Sequence, residues 1–386
     1  MRRFVLLLLL LLLLLHTAAN AHDPSAWGGL FRSRDDGANW LPVDAGLFIG
    51  GAMAIAISPA DPNHLLYATD TRLLRSHNGG RDWVTEAAGT FIGPTLSVAF
   101  GPDGILAVAS SSAGVFRTTD GKTWTRAQAP DGAAPARAIV AGHTAGLFYL
   151  NGPKGVFVST DSGATWSFAA SELPPVAATA LVIGGESAAL LAAVIDHVLW
   201  FSLDGGTRWT RVTGPWSGRG LASVGFTGAH HDQLIAVADD RVFHRIDNGG
   251  AWTRIGEPIG AGLDAVRSVV GSPNDKAIVV TTHRGMMRSA DGGATWARLE
   301  GVLPIHLESA PLIHDPVDAH TLYAGFSLTP YGEVFRRAEE GSNVLSRIDP
   351  VSLAGGGAFL LLLLIGGTIG ARRLARASRA DKAANP

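Results

Sequence analysis

From residue 28 onward the chain alternates short apolar runs with compact polar turns, and the alternation repeats. A β-type run stands before each turn: GLFRS at 29–33, RLLRS at 72–76, GVFRT at 114–118, GVFVS at 155–159, VLWFS at 198–202, RVFHR at 241–245 and GMMRS at 285–289. About twenty-five residues after a turn lies another run, such as HLLYATD, ILAVASS or LIAVADD, and between the two an inner run such as AIAIS, LSVAF or ASVGF. Alternating or continuous apolar runs of this length bounded by turn residues predict half-buried and fully buried strands.

The turns themselves repeat. Strict copies are Ser33–Trp40 (SRDDGANW), Ser159–Trp166 (STDSGATW), Ser202–Trp209 (SLDGGTRW) and Ser289–Trp296 (SADGGATW). Ser76–Trp83 carries Asn78 in place of Asp, Arg245–Trp252 opens with Arg, and Thr118–Trp124 is one residue short. The acidic or amide position is Asp35, Asn78, Asp120, Asp161, Asp204, Asp247 and Asp291, paired with Trp40, Trp83, Trp124, Trp166, Trp209, Trp252 and Trp296. The tryptophans fall 41 to 44 residues apart, the period of a β-propeller blade. Within each turn Asp accepts backbone N–H groups, Gly takes the left-handed position, and Trp buries a large ring between sheets. These residues are expected to be structural.

The motif S-x-D-x-G-x-x-W resembles the Asp-box, or bacterial neuraminidase repeat. It is similar to the repeats of sialidases, two-propeller xyloglucanases, sortilin-type receptors and the photosystem II assembly and stability factors. The resemblance covers Ser33 to about Arg337 and implies an all-β propeller; six complete repeats plus one shared blade make it seven-bladed. Blade seven is expected to be shared: the N-terminal hairpin at 28–43 completes what 309–337 begins, with EVFRR at 333–337 read as a strand. Eight blades is the alternative count.

The chain ends read differently. Arg2 and Arg3 precede an unbroken apolar run from Val5 to Leu15, and Ala19-Asn20-Ala21 offers a small-residue cleavage site. Residues 1–21 are expected to be a secretory signal, the propeller to occupy 22–345, and 350–371 to form a transmembrane helix. Those 22 uncharged residues would span about 33 Å as a helix. The tail 372–386, with Arg372, Arg373, Arg376, Arg379 and Lys382, is expected in the cytoplasm and the propeller on the periplasmic or extracytoplasmic side. A C-terminal sorting signal around Gly355-Gly356-Gly357 is the competing reading of the segment.

Composition narrows the function. The whole chain has 31 Lys+Arg against 33 Asp+Glu and no Cys. Between the signal and the tail the count is 24 against 32, a net of −8, a poor match for nucleic acid or anionic lipid. Without Cys there is no thiolate chemistry and no Cys-ligated zinc. His230-His231-Asp232 has metal-ligand types, yet neighbours on a strand point to opposite faces, so a turn is the favoured reading. The sialidase resemblance implies an arginine triad, an Arg-Ile-Pro element and a Tyr–Glu nucleophile pair. Arg-Ile-Pro does not occur, and Tyr67, Tyr149 and Tyr323 fall at equivalent strand positions. Tyr331 with Glu333 is the remaining pair. No catalytic residue, metal or cofactor is therefore expected, and a divergent glycoside hydrolase is the alternative.

A binding face is expected opposite the repeated turns. Arg137, Arg219 and Arg267 stand just before or inside inner strands. Arg72, Lys154 and Arg284 fall in the turns between second and third strands, and Trp216 is read as an exposed aromatic. Basic groups around a channel mouth suit an acidic peptide. The resemblance to the assembly factors implies a membrane protein or complex as the partner. The sequence is thus read as a tethered, non-enzymatic protein-binding scaffold.

Overall fold

The computed structural model describes residues 28–340 other than 45, 92, 143, 186–188, 217–219, 246–249 and 261–265. The segments expected as signal (1–21), transmembrane helix (350–371) and tail (372–386), with Arg219 and Asp247, lie outside the described residues. Among the described residues no helix is long and apolar enough to cross a membrane.

The strands form seven four-stranded antiparallel sheets. Six are continuous in sequence: blades 1 to 6 at 52–85, 95–126, 138–168, 180–212, 221–255 and 268–298. Blade 7 is composite, ordered Leu41–Pro42, Gly29–Ser33, Leu322–Ser327 and Glu308–His314 from rim to centre. Gly29–Ser33 pairs antiparallel with Leu322–Ser327, matching Gly29 to Phe326 and Ser33 to Leu322. The expected closure is therefore observed. The inner strands follow one another round the ring, and Leu328 N–H bonds Gly50 O (2.8 Å) where blade 7 meets blade 1.

EVFRR is not a strand. The chain forms a helix, α1, over Tyr331–Glu339. The N-terminal hairpin already fills the outer positions of blade 7, so no edge is open to receive 333–337. The side-chain order favours a helix too. Tyr331, Val334 and Ala338 recur at helical spacing, and Glu333 pairs with Arg336 (2.7 Å) and Arg337 (2.5 Å) on the exposed side.

The repeated turns are built as their composition requires. In the first, Ser33 Oγ donates to Asp35 Oδ1 (2.8 Å) and accepts Gly37 N–H (2.9 Å), while Asp35 Oδ1 accepts Asn39 N–H (2.8 Å). Asp161, Asp204 and Asp291 make the same bonds, and Asn78 takes the role in its copy. The Thr295 backbone N–H, its hydroxyl and the Ser289 hydroxyl hold the Asp291 carboxyl down to about 2. Gly163 has φ +76°, and a Cβ there would lie 2.7 Å from Val108 of the preceding blade. Each turn thus docks against its neighbour as well as closing its own sheet. Trp40, Trp166 and Trp209 donate their indole N–H to the glycine carbonyl of their own turn at 2.9 to 3.1 Å.

The shortened turn departs from this. Trp124 aims its N–H at Glu86 of the preceding blade (2.7 Å). Glu86 is buried and doubly bonded by Arg75, Nε at 2.6 Å and Nη2 at 2.8 Å. Burial raises the Glu86 pKa, but the Arg75 and Trp124 hydrogen bonds outweigh it and hold the carboxyl below its ordinary value. Arg75 also contacts His64, whose ring burial and the neighbouring Arg75 charge depress to about 4. An ionic cluster therefore takes the place of a local bond between blades 1 and 2.

A second buried acid ties blade 7 to blade 1. Asp44 accepts Leu30 N–H (2.9 Å) and the Tyr67 hydroxyl (3.1 Å), and burial pushes its carboxyl up to about 6. An unfolded Asp titrates near ~3.9. Below that pH both states hold the proton and no ionisation cost is felt. As the pH rises from there towards 6 the unfolded chain has released its proton while the folded state still holds it, so stability falls across that window and levels off above it. Asp44→Asn, which keeps an acceptor for both donors, should raise stability by about 2–3 kcal/mol at pH 7.5 and by nothing at pH 4. Urea titrations at the two pH values check this; an equal effect at both would refute it.

Candidate functional site

Strand direction sorts the side chains into two faces. Each described repeated turn joins a third strand to a fourth, so these turns lie on one face of the ring. The starts of the inner strands and the turns between second and third strands lie on the other. Arg137 immediately precedes Ala138–Ala141 and Arg267 precedes Ser268–Gly271, which places both at the channel mouth. Arg72, Lys154 and Arg284 sit in second-to-third-strand turns, one strand further out, with Lys154 and Arg284 exposed.

The two arginines at the mouth are engaged. Arg267 Nη2 lies 2.6 Å from Glu308 Oε1, whose side chain is buried, and His283 Nδ1 lies 3.1 Å from the same oxygen. Glu308 Oε2 accepts the Tyr331 N–H that opens α1 (2.7 Å). Arg137 Nη2 bonds Glu339 at the other end of α1 (3.0 Å), and its guanidinium lies 5.4 Å from the Phe335 ring centre. The Tyr331 hydroxyl donates to Ala52 O (2.7 Å). Nine residues at 1.5 Å each give α1 a length of about 13 Å. It therefore runs across the mouth from the junction of blades 7 and 1 to blade 3. Its buried side joins Met53, Phe91, Leu96 and Val98 in one apolar cluster.

Among the described residues the same face carries a cavity over blades 4 to 6. It measures about 580 Å³ and is lined by Thr179, His197, Leu221, Asp239, Asp240 and Arg267, among others. Asp240 lies 4.0 Å from Arg241. The mouth is thus of mixed sign: acidic groups from Glu308, Glu339, Asp239 and Asp240 alternate with the arginines, and no continuous basic ring forms among the described residues.

Trp216 is not the exposed aromatic expected from its loop. It is buried, 4.8 Å from the Trp252 ring and 5.8 Å from Phe243, in the core between blades 4 and 5. A large ring flanked by apolar strands gains more from that gap than from solvent. Tyr331 and Glu333 do not form a nucleophile pair. Residues two apart on a helix face away from each other. The Tyr331 hydroxyl is buried against a backbone carbonyl, and burial pushes its pKa up. Glu333 is held by Arg336 and Arg337 on the exposed side. Tyr67, Tyr149 and Tyr323 are buried in second strands. His230 and His231 fall in a turn of blade 5, with the His231 ring 4.9 Å from His314. Among the described residues no group of three or more His, Asp or Glu is arranged to hold a metal ion.

Glu308, Glu339 and Phe335, which decide what the arginines touch, were not singled out in the sequence. The one signal was the helical spacing of Tyr331, Val334, Phe335 and Ala338, hidden by the reading of EVFRR as a strand.

The chain is a seven-bladed β-propeller whose inner-strand starts carry ion-paired arginines beneath a crossing helix. No family model matches the sequence, and no curated protein matches it. Solved structures do. A structure described as YCF48 bound to D1 peptide is 17% identical, with 72% of this chain and 94% of that chain covered and a TM-score of 0.56. YCF48 from Cyanidioschyzon merolae is 16% identical, with 73% and 97% covered and a TM-score of 0.55. The GH74 xyloglucanase from Xanthomonas campestris is 19% identical, with 75% of this chain but 55% of that chain covered and a TM-score of 0.56. At these identities the likeness is one of fold.

Proposed function

We propose that this propeller is a non-enzymatic, protein-binding scaffold. It is exported, tethered by the segment 350–371 with the tail 372–386 in the cytoplasm, and assists assembly or stability of a membrane protein complex. The observation that carries the binding reading is the face opposite the repeated turns, where charged side chains of both signs ring the channel mouth beside a cavity large enough for a peptide side chain. A structural neighbour matched over 94% of its own length is described as bound to D1 peptide, which supports it. The hydrolase alternative loses its one nucleophile pair to the burial of Tyr331. Processing at a C-terminal sorting signal is separable from a retained anchor by the mature mass of the C-terminus.

The test is a crosslinked pull-down of the tagged full chain from solubilised membranes, read by mass spectrometry, beside a Lys154→Glu/Arg284→Glu double variant. Both side chains are exposed, so the variant should fold. The expected result is one defined membrane protein with the wild type, reduced about tenfold in the variant, as for two charged rim contacts reversed. Recovery of no protein, or equal recovery from both, would overturn the proposal.

A further inference from the structure

We propose that the floor beneath α1 is the receiving surface for an amphipathic, acid-ended helical segment of a partner, and that α1 occupies it in the free protein. This rests on the scaffold reading and names the chemistry of its partner.

Three observations carry it. First, the floor supplies each kind of contact that a docked helix uses. The Ala52 carbonyl accepts a hydroxyl, Glu308 accepts the first N–H, an apolar cluster takes the buried side, and Arg137 takes a carboxylate and an aromatic ring. This is the helix-in-groove mode, read as anchors at i, i+3, i+4 and i+7. Second, the occupant matches those contacts position by position: Tyr331, Val334, Phe335, Ala338 and then Glu339. A partner segment with that spacing of an aromatic hydroxyl, three apolar residues and a terminal acid would make the same set. Third, α1 has little to hold it besides the exposed Glu333 and Glu340 pairs with Arg336 and Arg337. It has nine residues, Pro330 at its start makes no side-chain capping bond, and its ion pair with Arg137 is about one-third exposed. A helix that short is not stable in isolation, and an exposed pair contributes little. Its order comes from the floor, so a segment bound elsewhere on the partner can replace it.

The probe is a fluorescently labelled peptide with the sequence of residues 330–340, titrated by anisotropy into the purified full chain. In wild type the tethered helix competes, so the apparent affinity is low. Tyr331→Ala/Val334→Asp, which unseats α1, should bind the peptide at least about tenfold more tightly, because the competent fraction rises. Adding Arg137→Ala should weaken that binding severalfold. A peptide with serine at its two central apolar positions should not bind. An unseated variant that keeps wild-type circular dichroism and elution volume yet gives no saturable binding would overturn the proposal. Should that variant misfold, Glu339→Lys decides. It breaks the pair and sets a second cation beside Arg137, which repels the end of α1 and should raise peptide affinity about threefold; no change overturns the proposal.

The two readings fail separately. If the peptide binds the unseated chain but neither form recovers a membrane protein, the surface stands and the scaffold role falls. If wild type recovers a protein that excess peptide does not displace, the scaffold role stands and this surface is not where the partner docks.

Discussion

Replacing Glu86 with alanine should cost the propeller about 3–5 kcal/mol, the range for removing one partner of a buried ion pair. The Arg75 guanidinium, only 6% exposed, would remain in place without its carboxylate, and the Trp124 indole N–H would lose its acceptor. Both groups would pay desolvation without return, and they sit together where blade 1 meets blade 2. The melting temperature should fall by about 10 °C, at roughly 2–4 °C per kcal/mol for a domain of this size. Glu86→Gln should fall between, since the amide oxygen can still accept from Trp124. Arg75→Met/Glu86→Leu should recover most of the loss, because apolar replacement of both partners removes the stranded charge. Urea denaturation of the four chains measures this. A loss below about 0.5 kcal/mol in Glu86→Ala, the size of an ordinary surface change, would show that the pair is not buried in solution.

Deleting residues 28–43 should have a larger effect: no monomeric propeller at all. Those residues bring Leu30, Phe31, Trp40 and Val43, each no more than 7% exposed, and five paired positions along Leu322–Ser327. At about 1.5–3 kcal/mol per fully buried large side chain, the burial alone matches the whole stability of a typical domain. The deletion also uncovers the edge of Leu322–Ser327, where Ala324 and Phe326 are fully buried. An unpaired apolar edge invites strand addition from another copy. Gel filtration should show oligomers or aggregate, and near-ultraviolet dichroism should be lost. A deleted chain that elutes as a monomer with the wild-type melting curve would refute the composite blade.

The fold was legible because its determinants are local and repeated. Each strict turn carries its own Ser, Asp, Gly and Trp, and the bonds that close it lie within five residues, so they can be read without neighbours. The composite blade was legible from what the first and last repeats lack. The candidate site was less so. Arg137 and Arg267 could be placed on a face from strand order, but their partners, Glu339 and Glu308, are 202 and 41 positions away and follow no repeat. Trp216 failed for a related reason: a Gly-Pro loop reads as exposed, and only the packing of blades 4 and 5 shows the gap that the ring fills. α1 was missed because five residues fit a strand and a helix equally. The competition was settled by the N-terminal hairpin, which is already paired at the sheet edge 290 or so residues away in sequence.

That pairing also sets an order of events during synthesis. Gly29–Ser33 leaves the ribosome about 290 residues ahead of its partner Leu322–Ser327. At about 5–20 residues per second the interval is roughly 15–60 s. Throughout it the first β-segment has only the short Leu41–Pro42 strand to pair with, and its other edge waits while six blades accumulate as an open arc. The ring closes in a single late step, so the vulnerable period of this protein is set by translation rather than by the intrinsic speed of its sheets.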